Sequence, residues 1–138
     1  MRVYWDSSAL LNALAAQAVL NRLDEGEHVT RSHGYLEVFH HLSGRGLPLK
    51  DGRRLAVTPA DAARMIRNLA KRIPARDPRQ EETLKAMDDA QRHGVMGRMI
   101  HDWMHVRAAR LAGADLFLTR DEPLSRLCAG EGLASEWP

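Results

Sequence analysis

The apolar positions along the chain change period several times, and each change marks an element. "RVYW", residues 2–5, is a short β-branched and aromatic run and predicts a strand. Beyond it, Leu10, Leu11, Leu14, Ala18 and Leu23 recur at helical spacing, so a helix follows, capped by Ser7 or Ser8 and stopped by Gly26. "HVTR", residues 28–31, predicts a second strand, and Ser32 opens a helix with Tyr35, Phe39 and Leu42 on one side. Residues 43–54, rich in Gly and Arg, read as a loop. Thr58-Pro59 starts a helix reaching about Lys71, with proline at its first position. "RIPA" is a poor, short strand candidate, Pro78 starts a helix to about His93, and "GVMG", residues 94–97, is a break. A helix over about 99–112 ends at Gly113. "DLFLT" is a strand, residues 123–129 are a short helix, and "LASEW" is a last strand.

Strands alternate with helices from end to end, which predicts an α/β fold with a mostly parallel sheet. With 138 residues, no repeat and no linker, a single domain over 1–138 is expected. Cys128 is the only cysteine, so neither an internal disulfide nor a thiolate metal cluster can form, and a reducing cytoplasm suits the chain. No signal-like segment precedes the first strand, and "ALLNALAAQAVL" falls short of the roughly 20 apolar residues of a membrane span. A soluble, cytoplasmic protein is expected. The net charge of +2 says little about partners, but residues 43–80 hold ten basic residues against three acids, a local +7. That stretch is either a set of solvated helix faces or a surface for phosphates, which guanidinium groups bind in bidentate fashion.

Four carboxylates stand in apolar company. Asp6 directly follows "VYW", and Asp121 follows "LFLTR". Ligands of open α/β sheets bind outside the carboxyl ends of strands, where strand order reverses. Asp102 shares a helix face with Val106 and Ala109, where an unpaired carboxylate is costly. Glu37 falls in the first turn of the helix from Ser32, where the helix N-terminus alone could favour an acid. Taken singly, Asp6 could be a helix cap and Asp121 a turn residue. Clustered carboxylates raise one another's pKa, and a divalent cation removes that penalty. All-oxygen ligands point to Mg²⁺ or Mn²⁺, and the matching chemistry is phosphodiester hydrolysis.

"VYWDSSALLNAL", "SHGYLEVFHHL", "IHDWMHVRAARLAGADLFLTRD" and "LASEWP" together resemble a PIN domain, and among these the VapC-like ribonuclease toxins of toxin–antitoxin pairs. The resemblance covers the whole chain, most strongly residues 1–42 and 99–138. It implies a three-layer α/β/α sandwich with a mostly parallel sheet of about five strands. It implies Asp6, Glu37, Asp102 and Asp121 as metal-binding, catalytic acids, with Ser8 (or Ser7) and Thr119 as auxiliary polar residues. The implied activity is metal-dependent endoribonuclease cleavage leaving 5′-phosphate and 3′-hydroxyl ends. The implied partners are an RNA substrate, a small antitoxin that covers the site, and a second copy of the chain in a homodimer. Trp5 and Trp103 adjoin key acids where aliphatic residues are more usual, and both are expected in the core. Arg98 and Arg120 lie close in sequence to the acids and are candidate RNA contacts, with Arg107 a weaker one.

Three other readings compete. "HDWMH" nearly matches H-E-x-x-H, with His101 and His105 as zinc ligands and Asp102 as general base. Asp is one methylene shorter than Glu, no third ligand follows locally, and Asp6 and Asp121 stay unexplained. A PIN-like fold could instead bind RNA or a partner without catalysis, which leaves the acidic quartet without a purpose. A PIN nuclease of RNA processing that is not a toxin would carry the same residues.

Overall fold

The computed structural model describes residues 1–138. Four parallel strands form the central sheet: β1 (Arg2–Trp5), β2 (Glu27–Val29), β5 (Leu116–Leu118) and β6 (Ala134–Glu136), in the order β2-β1-β5-β6. Val3, Tyr4 and Trp5 pair with Leu116, Phe117 and Leu118. Alternation along each strand sends Val3, Trp5, Leu116 and Leu118 to one face and Tyr4 and Phe117 to the other. Both faces are covered, which is why the central strands are apolar throughout.

Helices α1 (Ser7–Ala15), α2 (Gln17–Leu20), α3 (Ser32–Arg45) and α4 (Pro59–Ala70) bury Leu10, Ala13, Val19, Val38, Leu42 and Leu69 on the first face. Helices α6 (Met99–Leu111) and α7 (Glu122–Gly130) bury Val106, Ala109, Leu124 and Cys128 on the second. Helix α5 (Gln80–Arg92) packs outside α6, where Ala86, Ala90, Trp103 and Met104 make a separate cluster. The result is the expected three-layer α/β/α sandwich.

Several local expectations are corrected. The sheet has four strands rather than five. "RIPA" contributes one parallel bridge, Thr30 to Ala75, because Pro74 has no N–H with which to extend a ladder. The first helix does not run to Gly26. It breaks at Ala16, and the change of phase buries Val19 while Ala18 is exposed. Asp6, not Ser7 or Ser8, caps it, accepting from Ala9 N at 2.8 Å. Residues 43–54 are not all loop. α3 runs on to Arg45, and β3 (Leu47–Pro48) pairs with β4 (Arg54–Leu55) in a small antiparallel hairpin. Gly46 at its base has φ +87° and lies too close to the Leu55 carbonyl for a Cβ. α5 starts two residues after Pro78, where Glu82 accepts from the Arg79 backbone N–H at 2.9 Å.

No helix is long and apolar enough to cross a membrane. Trp5 and Trp103 are buried, each with its indole N–H bonded, to His28 Nδ1 and to the Ala86 carbonyl. Both are core residues, as expected. Cys128 is buried and free, and burial pushes its thiol up to about 12, so it is inert at neutral pH.

Candidate active site

The chain passes from β1 to one side of the sheet and from β5 to the other, so strand order reverses between these two neighbours. Asp6 leaves the end of β1 at this point, its backbone N–H bonded to the Leu118 carbonyl at 3.2 Å. Asp121 lies three residues past β5 and caps α7, accepting from Leu124 N at 3.1 Å. Glu37 comes from α3 and Asp102 from the first turn of α6. Glu37 is the sixth residue of its helix, not in the first turn, so the helix N-terminus does not account for it.

Each acid is held differently. Asp6 is buried. Its Oδ1 accepts from Ser8 Oγ at 2.7 Å and from Ala9 N, and its Oδ2 accepts from Thr119 Oγ1 at 2.5 Å. A carboxylate has about four acceptor positions, so room for a further donor or cation remains on Oδ2. Burial pushes the Asp6 carboxyl above its ordinary range, and the bonds from Thr119, Ser8 and Ala9 offset only part of that shift. The auxiliary hydroxyls tie the two strand ends together. Ser8 Oγ accepts from Arg120 N at 2.8 Å and Thr119 Oγ1 from Asp121 N at 2.9 Å.

Asp102 has no hydrogen bond to hold its charge. Burial raises its carboxyl, the charges of Asp121, Asp6 and Glu37 raise it further, and His105 pulls the other way. The charges of the other three acids are therefore felt at Asp102. Glu37 differs again. Burial works to raise it, but the bond and charge of His105, with His33 and Arg31, outweigh that and hold it below its ordinary range. The bond runs from His105 Nε2 to Glu37 Oε1 at 2.9 Å, and Tyr4 Oη lies 2.9 Å from His105 Nδ1. Since an ionised carboxylate only accepts, Nε2 carries a proton, and Nδ1 pairs with the Tyr4 hydroxyl. Burial raises the Tyr4 phenol, which keeps its proton. Gly34 lies beside this chain, where a Cβ would press on Thr30 Oγ1 at 3.1 Å and Leu10 Cδ1 at 3.3 Å but meet His105 only at ordinary contact distance.

The buried Tyr4–His105–Glu37 chain is the feature that residue spacing did not anticipate. A signal was present, since alternation in β1 puts Tyr4 on the side of α6. The zinc reading of "HDWMH" is overturned by the same bonds. Both nitrogens of His105 are committed, and His101 instead stacks on His33 with ring centroids 5.9 Å apart.

Glu37, Asp102 and Asp121 line one open cleft of about 880 Å³, together with His33, His101 and Arg98. As the side chains stand, no group of three or more His, Cys, Asp or Glu is gathered closely enough to hold a metal ion by itself. The donor set still fits one kind of ion. It is all oxygen, and Mg²⁺ keeps several waters while using one or two carboxylates directly. Asp102, without a partner and already pushed up by burial and then by its acidic neighbours, is the side chain most in need of a cation.

Arg98 is exposed on the wall of this cleft. Arg120 lies apart from it, over the Trp137 ring at 4.8 Å and bonded to Asn12 Oδ1. Arg107 is structural, paired with Asp89 at 3.0 Å beside the Trp103 ring.

No protein-family model and no curated protein matches the chain. Solved structures do. VapBC-1 from nontypeable Haemophilus influenzae aligns with TM-score 0.67 and 14% identity over 99% of this chain and 98% of that one. VapBC2 from Rickettsia felis, bound to a DNA fragment from its promoter, aligns with TM-score 0.67 and 12% identity over 99% and 98%. Mycobacterium tuberculosis VapC20, a sarcin–ricin loop cleaving toxin, aligns with TM-score 0.67 and 14% identity over 99% of both chains. At these identities the likeness is one of fold, and the fold is the PIN-domain fold of the VapC toxins.

Proposed function

We propose that this chain is a metal-dependent endoribonuclease and the toxin of a toxin–antitoxin pair. The observation that carries the nuclease reading is the convergence of four acids from four elements on the switch point between β1 and β5. There burial, and then the charges of Asp121, Asp6 and Glu37, raise Asp102, and no arginine or lysine forms an ion pair with any of the four. Asp6, Glu37, Asp102 and Asp121 would hold Mg²⁺ or Mn²⁺. Bound there, the ion supplies the positive charge that phosphodiester hydrolysis requires. Ser8 and Thr119 fix the Asp6 carboxylate, and the Tyr4–His105 chain fixes that of Glu37, so neither rotates as substrate enters. The open cleft admits a polymer rather than a small molecule.

The toxin reading is supported by the whole-chain fold match to VapBC and VapC structures. The proposed partners are a small antitoxin that covers the cleft and a second copy of the chain, with RNA as substrate. Co-expression with the product of the adjacent small reading frame tests the pairing: growth arrest by this chain alone, relieved by that product, is expected. The nuclease reading is tested by RNA cleavage with added Mg²⁺ or Mn²⁺, lost in Asp6→Asn. Cleavage that depends on zinc and survives Asp6→Asn would sink it.

A further inference from the structure

The cleft over the acids does not end at Glu37. Glu37 and His40 also line a second cleft of about 480 Å³, whose walls include Ser7, Ser8, His41 and Arg45. Glu37, His41 and Arg45 fall at i, i+4 and i+8 of α3, so they share a face and span about 12 Å of helix axis. The hairpin of β3 and β4 brings Arg54 to the same place, where its Nη1 donates to His41 Nε2 at 3.0 Å. Burial, then the charges of Arg54, Arg45 and His40, hold His41 below its ordinary range, so the imidazole serves as a neutral acceptor that orients Arg54.

None of these basic groups meets an acid. Elsewhere in the same basic stretch four arginines are paired: Arg53 with Asp51 at 2.5 Å, Arg64 with Asp61 at 2.9 Å, Arg72 with Asp24 at 3.0 Å and Arg79 with Glu82 at 3.2 Å, while Arg67 and Arg76 have no ion pair but line neither cleft. Arg45 and Arg54 are exposed and left without a counter-charge beside the groove, and Arg98 stands likewise unpaired on the cleft over the acids. Two guanidinium groups without a counter-charge along a groove that leads to a phosphodiester-cleaving site call for phosphates.

We infer that the arm lined by His41 and Arg45 and flanked by Arg54 is the track for the phosphate backbone of a single-stranded RNA whose scissile bond lies over Asp102 and Glu37. This rests on the nuclease reading and assigns the substrate path within it. Arg45 and Arg54 touch the strand a few nucleotides from the cut, Arg98 touches it on the other side, and the contacts are independent of sequence.

The test is binding of a short labelled single-stranded RNA across a salt series, using protein kept from cleaving by Asp102→Asn. In that background, Arg45→Ala and Arg54→Ala are each expected to weaken every RNA alike and to flatten the salt dependence by about 0.7 in log–log slope. Arg64→Ala, which removes a paired arginine, leaves both unchanged. Circular dichroism confirms that these exposed substitutions leave the fold intact. Unaltered slopes in Arg45→Ala and Arg54→Ala, with an unsubstituted chain that still binds and cleaves RNA, overturn the track alone. Loss of binding to polyglutamate with RNA binding retained also overturns it, and assigns the arm to an acidic protein segment. An unsubstituted chain that neither binds nor cleaves single-stranded RNA overturns the nuclease reading and the track with it.

Discussion

The two ends of the parallel sheet hold acids in opposite company. At the end where the strands begin, Arg2 serves two of them. Its backbone N–H donates to Asp115 at 2.8 Å, and its guanidinium donates to Glu27 at 2.7 and 2.9 Å and to the Ala112 carbonyl at 2.6 Å. The bond from Arg2 and its charge hold Glu27 below its ordinary range. At the end where the strands finish, Asp6 and Asp102 lie above theirs, and the only ion-pair partners of the quartet are histidines on Glu37. A chain with 20 lysines and arginines has the means to neutralise both ends. It neutralises one. The uncompensated end is where a cation and a polyanionic substrate belong, and its repulsion is a cost that a purely structural site would not retain.

That contrast predicts a graded set of outcomes. The largest is catalytic: Asp102→Asn should lower RNA cleavage by at least about 100-fold, while Glu27→Gln leaves the rate unchanged, measured in Mg²⁺ or Mn²⁺ under single-turnover conditions. Next comes the buried chain behind Glu37. His105→Ala should weaken Mn²⁺ binding, read by calorimetry, by about 10–100-fold. His105→Gln, whose amide can still donate to Glu37, should recover part of that loss, and Tyr4→Phe should fall between them. Equal losses in His105→Ala and His105→Gln would show that packing, not the donated bond, matters there.

Smaller effects concern stability without metal. Arg2→Ala should lower stability slightly, through the lost bonds to Glu27 and to the Ala112 carbonyl. Asp102→Asn should leave metal-free stability unchanged or raise it, since it removes repulsion. Urea midpoints of chelator-treated protein check both, and a clear loss in Asp102→Asn would make Asp102 structural. The smallest signal is in pH. Folded Asp102 keeps its proton to higher pH than the unfolded chain does, so metal-free protein loses stability relative to Asp102→Asn as pH rises from the usual carboxylate range. Glu27 runs the other way. Its contribution is full above the unfolded value and fades as pH falls through the folded one, so Glu27→Gln and the unsubstituted chain should converge in acid.

Much of this was legible in the residue pattern because the strongest signals are local. "RVYW" and "DLFLT" are apolar on both faces, as central parallel strands must be, and Thr58-Pro59 marks a helix start by chemistry that needs no tertiary contact. The four acids stood out because strand ends and an apolar helix face are costly places for carboxylates. What escaped was set by contacts between distant segments. Whether Asp6 or Ser8 caps α1 depends on Ser8 being turned toward Asp6 and Arg120. The Tyr4–His105–Glu37 chain joins three elements, 101 and 68 residues apart in its two links. The hairpin of β3 and β4 was hidden by Pro48 and by polar neighbours, although it carries Arg54 to the groove.

The most direct test is to strip the protein with chelator and titrate Mn²⁺ back while following cleavage of single-stranded RNA and the melting temperature together. The expected result is no cleavage in chelator, cleavage restored by Mn²⁺ with a rise in melting temperature, and neither response in Asp102→Asn. Cleavage that persists in chelator, or an Asp102→Asn protein that cleaves and responds to Mn²⁺ as the unsubstituted chain does, would contradict the assignment of the acids at the switch point.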